Sequence, residues 1–213
     1  MNASMSSRKL TLADITDARA YEREREAFRE HIIELKRRRR VHVGNLITMV
    51  FENRETMRFQ IQEMARVERI LTDEGIQEEI DVYNPLIPEP GHLCATLFIE
   101  LTADEQMREW LPKLVGIEQH VLFRLPDGTA VRCEVDAQHA SQLTRADTTA
   151  AVHYITFGFN PEQVSAFGEG VVVAIDHPAY SEEVLLGPAT VAELAADLAP
   201  DLESTSIGRT ATG

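Results

Sequence analysis

Apolar residues along this chain recur at two spacings, and the switches between them mark out the elements. In "LTLADITDARAYEREREAFREHIIELKRRRR" the apolar positions Leu12, Ile15, Phe28, Ile32 and Leu35 fall at helical intervals. Thr11 with Asp14 three residues later has the form of a capping box, so the pattern predicts one long N-terminal helix from there to the basic run Lys36 to Arg40. "VHVGNLITMVFEN" then reads as a strand with a glycine break, and a second helix follows it. "GIQEEIDVYNPLIPEPG" reads as a short helix stopped at Asn84-Pro85, with a proline-restricted loop after it. "LCATLFIEL" is a strand, and "TADEQMREWLPKLVG" a helix capped by Thr102. "EQHVLFRLPDGTAVRCEV" carries a turn signal, Pro126 to Thr129, between two alternating runs and predicts a hairpin. "TTAAVHYITFGFN" and "GVVVAIDHP" add strands around a short helix opened by Pro161, and "TVAELAADLA" is a last amphipathic helix.

About six strands with interspersed helices and a hairpin-type connection indicate an α+β fold, with a mainly antiparallel sheet packed against helices. No strand opens into a glycine-rich phosphate loop, which argues against a doubly wound sheet. The expected organisation is a flexible N-terminus over residues 1–9, a single domain over 10–199 and a disordered tail over 200–213, where periodicity stops.

The second helix breaks its own pattern. At 100° per residue Met57, Ile61, Met64, Val67 and Leu71 share one arc, which is assigned to the core, while Arg58, Gln62, Arg66 and Arg69 cluster on another, facing solvent or a partner. Gln60 and Glu68 fall inside the apolar arc and Glu63 lies at its margin. A buried amide without a partner costs roughly 1–3 kcal/mol, and an unpaired carboxylate costs more or takes up a proton. These three side chains therefore require partners, and the strands offer some. His153 shares a strand face with Ile155, Phe157 and Phe159; Asp176, His177 and Tyr180 stand at a strand end before a turn. Glu63 or Glu68 meeting His153 or His177 would make a site for iron or zinc, or a proton-transfer pair. The same residues would serve equally as a structural network. Gln60, Glu63, Glu68, His153, Asp176, His177 and Tyr180 are the candidate buried site, and Arg58, Arg66 and Arg69 the candidate partner face.

Charge sharpens the partner question. The formal net charge is -14, yet residues 1–40 hold 11 Lys+Arg against 7 Asp+Glu, and from Ala146 to Gly208 there are ten acids with no lysine or arginine. Such a body repels phosphate backbones and anionic membranes, which disfavours nucleic acid as a partner despite the basic run. No stretch is long and apolar enough for membrane insertion, and "MNASMSSRKL" lacks the apolar core of a signal peptide, so a cytoplasmic location is expected. Cys94 and Cys133 have no metal-type spacing and read as thiols, Cys133 facing a core. HExxH, the ExxH pair of di-iron bundles, GxSxG and the Walker loop are all missing.

The blocks "KRRRRVHVG", "FENRET", "FQIQEMARVERI", "EEIDVYNPLIP", "LVGIEQHV", "AVHYITF" and "DHPAY" together resemble a bacterial domain-of-unknown-function family, number 3501, over roughly residues 10–199. That resemblance implies a setting: such proteins are typically encoded near a rubrerythrin-like di-iron protein and an iron-sulfur oxidoreductase. It implies an accessory role in a redox or oxidative-stress module, with those two proteins as partners. It brings no catalytic residue with it.

Overall fold

Gly44 turns what reads as one broken strand into two. A computed structural model describes residues 8–135 and 148–200, and in it Arg40–Val43 (β1) and Ile47–Glu52 (β2) form an antiparallel hairpin around Gly44, whose φ is 67°. A side chain at Gly44 would collide with Tyr180, since a Cβ there would stand 2.3 Å from the hydroxyl oxygen. That hydroxyl donates to the carbonyl of Val43 at 2.7 Å and accepts from the amide of Leu46 at 3.0 Å. Tyr180, expected in a candidate site, thus holds a turn.

The remaining strands are His92–Ile99 (β3), Val121–Arg124 (β4), Ala130–Arg132 (β5), Val152–Gly158 (β6), Val172–His177 (β7) and Tyr180–Leu185 (β8). They form two antiparallel four-stranded sheets, ordered β1-β2-β3-β6 and β5-β4-β7-β8. The fold is α+β, with eight strands in two sheets among the described residues, where the sequence suggested about six in one. The two additions are the hairpin at Gly44 and β8, whose "YSEEVL" exposes Ser181, Glu182 and Glu183 and so hides its alternation. Beyond β5 the chain crosses to the other sheet, where Glu134 and Thr156 exchange both backbone hydrogen bonds, at 2.7 and 3.0 Å. The sheets are therefore stitched at that edge and pinned by Tyr180 at the other.

Inward-facing residues of both sheets make the main core. Phe51, Phe123, Phe157, Phe159 and Phe167 meet at its centre, with Phe123 in contact with the other four at centroid distances of 4.7 to 5.7 Å. Alternation along β3 sends Leu93, Ala95, Leu97 and Ile99 inward and Cys94 and Thr96 to the opposite face.

Among the described residues there are six α-helices: Ala18–Arg39 (α1), Arg54–Glu68 (α2), Asp73–Tyr83 (α3), Asp104–Lys113 (α4), Pro161–Ala166 (α5) and Pro188–Leu198 (α6). The first begins later than its sequence suggests. Thr11 and Asp14 close only a single 3-10 turn, and α1 starts where the Asp17 carboxylate accepts from the amides of Arg19 and Ala20. For α4 the flanking residue is Ala103 rather than Thr102, whose amide instead reaches the Gln106 side chain. A second small core joins Leu10, Met57, Ile61, Ile80 and Ile87, which fixes the N-terminal segment against α2 and α3. Arg8 and Lys9, assigned by sequence to a flexible end, hold the carbonyls of Asp197 and Ala199 and of Asn84 and Ile87. Residues 1–7 and the tail from 201 lie outside the described residues.

Helical periodicity divides the basic run in two. Arg39 points inward and is 1% exposed; its guanidinium donates to the carbonyls of Phe51 and Glu52 and pairs with Asp197 and Glu193 of α6. Arg38 also reaches Glu193, at 2.6 Å. Lys36, Arg37 and Arg40 point the other way.

Candidate functional site

Glu63 of α2 finds its partners on the adjacent helix, not on the strands. Glu63 accepts four hydrogen bonds: from the Tyr21 hydroxyl at 2.7 Å, from Nε and Nη2 of Arg25 at 2.7 and 2.9 Å, and from Arg66 at 3.2 Å. The Arg25 bonds, helped by Tyr21 and Arg66, outweigh partial burial and hold the Glu63 carboxyl down to about 2. Burial and then the bond to Glu63 push the Tyr21 hydroxyl upward. Tyr21 and Arg25 lie four residues apart on one face of α1, so a single helix surface supplies both.

Other assignments on α2 change. Gln62, placed by its spacing on the solvent arc, is buried, and its side-chain amide meets both the N–H and the C=O of Thr16, at 2.8 and 3.1 Å. The inward stripe is Met57, Ile61 and Ala65. Gln60 is half-buried and Glu68 is exposed at the helix end. Val67, read as core, is 64% exposed within the helix, and Leu71, also read as core, is 79% exposed, because the helix stops at Glu68 and Arg69 turns left-handed with φ 57°. Extending a 100° period past that point misplaces every residue after it. Of the candidate partner face, Arg58 is engaged inside the chain with the Asp14 carbonyl, the Thr16 hydroxyl and the Phe28 ring, and Arg66 with Glu63; Arg69 is exposed.

Acid isolates the contribution of Glu63. Its carboxyl titrates below its ordinary 4.5 in the folded chain, so its stabilisation is fully present above about pH 4.5 and is lost as pH falls through about 2. Glu63→Gln is expected to be less stable than the parent at pH 7 by on the order of 1 kcal/mol, since the pair is open to solvent on one side. That gap should close by pH 2 in urea titrations. A gap independent of pH would show that the carboxylate charge contributes nothing.

The two candidate histidines sit in separate places. His177 donates from Nε2 to the Val115 carbonyl at 3.1 Å and accepts from the Ala179 amide at Nδ1, which fixes a neutral tautomer; its ring meets His120 edge to face at 5.0 Å. Asp176 lies beside it at the surface, gripped by Arg132 at 3.0 and 2.5 Å and by His120 at 3.1 Å. The bonds to Arg132 hold that carboxyl at about 2 despite some desolvation.

His153 is 1% exposed on β6 and faces Glu118, which is equally buried on the 3-10 turn Ile117–Gln119. Nδ1 stands 4.0 Å from Oε2 of Glu118, an oxygen with no hydrogen-bond partner. Nε2 has the Ala150 carbonyl at 2.9 Å and the Thr149 hydroxyl at 2.8 Å. A carbonyl only accepts, so Nε2 carries a proton, and the order Thr149, His153, Glu118 is not a working nucleophile, base and orienter. Burial lowers the imidazole from its ordinary 6.5 against the pull of Glu118. The Cys133 thiol donates to the Glu118 carbonyl at 3.1 Å, and burial pushes it up to about 11. Glu118 escaped the sequence reading because "GIEQHV" looks like a polar connector. Neither Glu63 nor Glu68 reaches His153 or His177, and among the described residues no three His, Cys, Asp or Glu side chains are placed to hold a metal ion.

A cleft of about 270 Å³ lies where the N-terminal segment, α1, α2 and α3 meet. Leu12, Ile15, Ile70, Leu71 and Ile76 give it apolar walls; Tyr21, Gln62 and Arg66 supply polar groups, and Asp17 and Asp73 also line it. The Glu63 network and the Gln62–Thr16 clasp therefore shape a surface feature: they fix α1 and the N-terminal segment along one side of α2. Binding pockets for small organic ligands run from about 300 to 1,000 Å³, so this volume suits one or two apolar side chains better than a cofactor. No helix among the described residues is long and apolar enough to cross a membrane.

The model of a family described as a protein of unknown function, DUF3501, matches residues 9–198. A crystal structure described as a novel protein of unknown function from Burkholderia pseudomallei is 35% identical, aligns over 89% of this chain and 99% of its own, and superposes with a TM-score of 0.81. No curated protein matches the chain.

Proposed function

Since the chain belongs to the DUF3501 family, a classification that assigns no reaction, we propose that it acts as an accessory protein that docks a partner through the cleft between α1, α2 and α3. The partner class is the one implied by the sequence resemblance, an iron-sulfur oxidoreductase or a rubrerythrin-like di-iron protein of a redox module. The observation that carries the reading is Leu71. It is an apolar side chain 79% exposed on the wall of a side-chain-sized apolar cleft, and such a residue gains most of its burial only when a partner covers it. Apolar walls beside fixed polar groups suit an anchoring aliphatic or aromatic side chain from that partner.

The test uses purified proteins. The chain is titrated by calorimetry with an iron-sulfur oxidoreductase and a rubrerythrin-like di-iron protein from the same organism, then again as Leu71→Asp. Binding to one of them, weakened about tenfold or more by the substitution with an unchanged melting temperature, supports the reading; tenfold is about 1.4 kcal/mol, within what one buried leucine provides. Undiminished binding by Leu71→Asp, or no binding to either protein, overturns it.

A further inference from the structure

A second surface has its complement on the same molecule. The outward half of the basic run lines a cleft of about 480 Å³ at the end of α1, formed by Ile33, Lys36, Arg37, Arg40 and His42. Ile33 is 41% exposed there, so the cleft joins an apolar residue to three cations. Arg37 is tethered by Glu34 of its own helix, at 2.9 Å. Arg38 and Arg39 are committed inward to α6 and leave these three to face outward.

The reverse composition occurs on α3. Its sequence "DEGIQEEIDVY" has five acids and no lysine, arginine or histidine. At 100° per residue Glu74, Glu78, Asp81 and Val82 fall within one 100° arc, all of them exposed, Val82 by 60%. Burial, with Glu68 and Glu78 close by, raises the neighbouring Glu79 carboxyl, which marks negative charge crowded on this helix without a cation to relieve it.

We infer that the cation-rimmed cleft of Ile33, Lys36, Arg37 and Arg40 docks the acidic stripe of α3, Glu74, Glu78, Asp81 and Val82, from a second copy of this chain. Three cations meet three carboxylates, and Ile33 meets Val82. The contact is head-to-tail, because each copy offers a different surface to each neighbour. Nucleic acid suits the same cations less well, since the body behind them carries the excess of a -14 net charge. The match lies in exposed charges, so the association is weak and salt-sensitive: net repulsion between copies and the attraction at the contact are both screened beyond about 8–10 Å at physiological ionic strength, but only the contact is shorter than that.

The experiment is sedimentation velocity on the full chain across a dilution series at low and high salt. The expected result is concentration-dependent association that salt suppresses. Arg37→Glu with Arg40→Glu, and separately Glu78→Lys with Asp81→Lys, should each weaken it about tenfold or more, and mixing the two variants should restore association between unlike chains. All four sites are exposed, and the salt series on the unmodified chain reads the contact without any substitution. A monomer at every concentration overturns the inference. So does association that survives either charge reversal, mixing that restores nothing, or single-stranded RNA captured by the cleft while the chain stays monomeric.

Discussion

Replacing Arg39 by methionine is expected to cost about 3–5 kcal/mol of folding stability, the largest effect of any charged residue in this chain. Arg39 is 1% exposed and binds two backbone carbonyls and two carboxylates at once. Removing it leaves Asp197 and Glu193 without their central cation and the Phe51 and Glu52 carbonyls without a donor, and breaking a buried pair from one side costs that amount. Burial already raises the Asp197 carboxyl against the pull of Arg39, so loss of the guanidinium drives it further toward the protonated form. Arg39→Lys is expected to recover only part of the loss, because one ammonium cannot span carbonyls and carboxylates in a planar fork. Urea unfolding of both variants checks this; a loss below about 1 kcal/mol for methionine would mean the network is dispensable.

Truncating Phe123 to alanine is expected to cost a similar amount, about 3–5 kcal/mol, for an apolar reason. Its ring, from the second sheet, is fully buried and touches Phe51 and Phe157 of the first sheet and Phe159 and Phe167 on either side of α5. The cavity would open where four rings converge, and aromatic side chains cannot collapse into it without leaving their rotamers. Phe123→Leu keeps most of the volume and should cost less than half as much. Equal losses for the two substitutions in chemical denaturation would show that ring packing, rather than volume, dominates there.

Where sequence and structure part, the cause is long-range contact. The hairpin at Pro126–Thr129 and the helix opened by Pro161 are fixed by residues within a few positions, and both are legible. β8 is not, because an edge strand with Ser181, Glu182 and Glu183 outward carries little apolar signal. On α2 the spacing marks Gln60, Glu63 and Glu68 as needing partners; Glu63 has them, whereas Gln60 is half-buried, Glu68 is exposed and the buried amide is Gln62. Spacing cannot say that α1, charged along most of its length, covers Glu63 or that the segment before α1 clasps Gln62, and so it looks to the strands for the partners of Glu63 and leaves Gln62 to solvent. Tyr21 and Arg25, four residues apart on α1, carry no sign in the sequence that they are the mates of Glu63. Glu118 gives still less notice, since only the folding of β6 across the 3-10 turn buries it beside His153. The basic run shows the same limit at finer scale: five adjacent cations look alike until the end of α1 and the start of β1 assign them to opposite sides.

The two cysteine sulfurs lie in different layers. Cys133 belongs to the interior between the sheets, whereas Cys94 occupies the opposite face of β3, and burial lifts both thiols to about 11. Neither ionises at neutral pH, so the folded chain is slow to react with alkylating agents and peroxides. Each sulfur becomes reactive only when its own layer parts, which makes the pair a natural stopwatch: the order in which they are labelled reports which seam of the molecule breathes first.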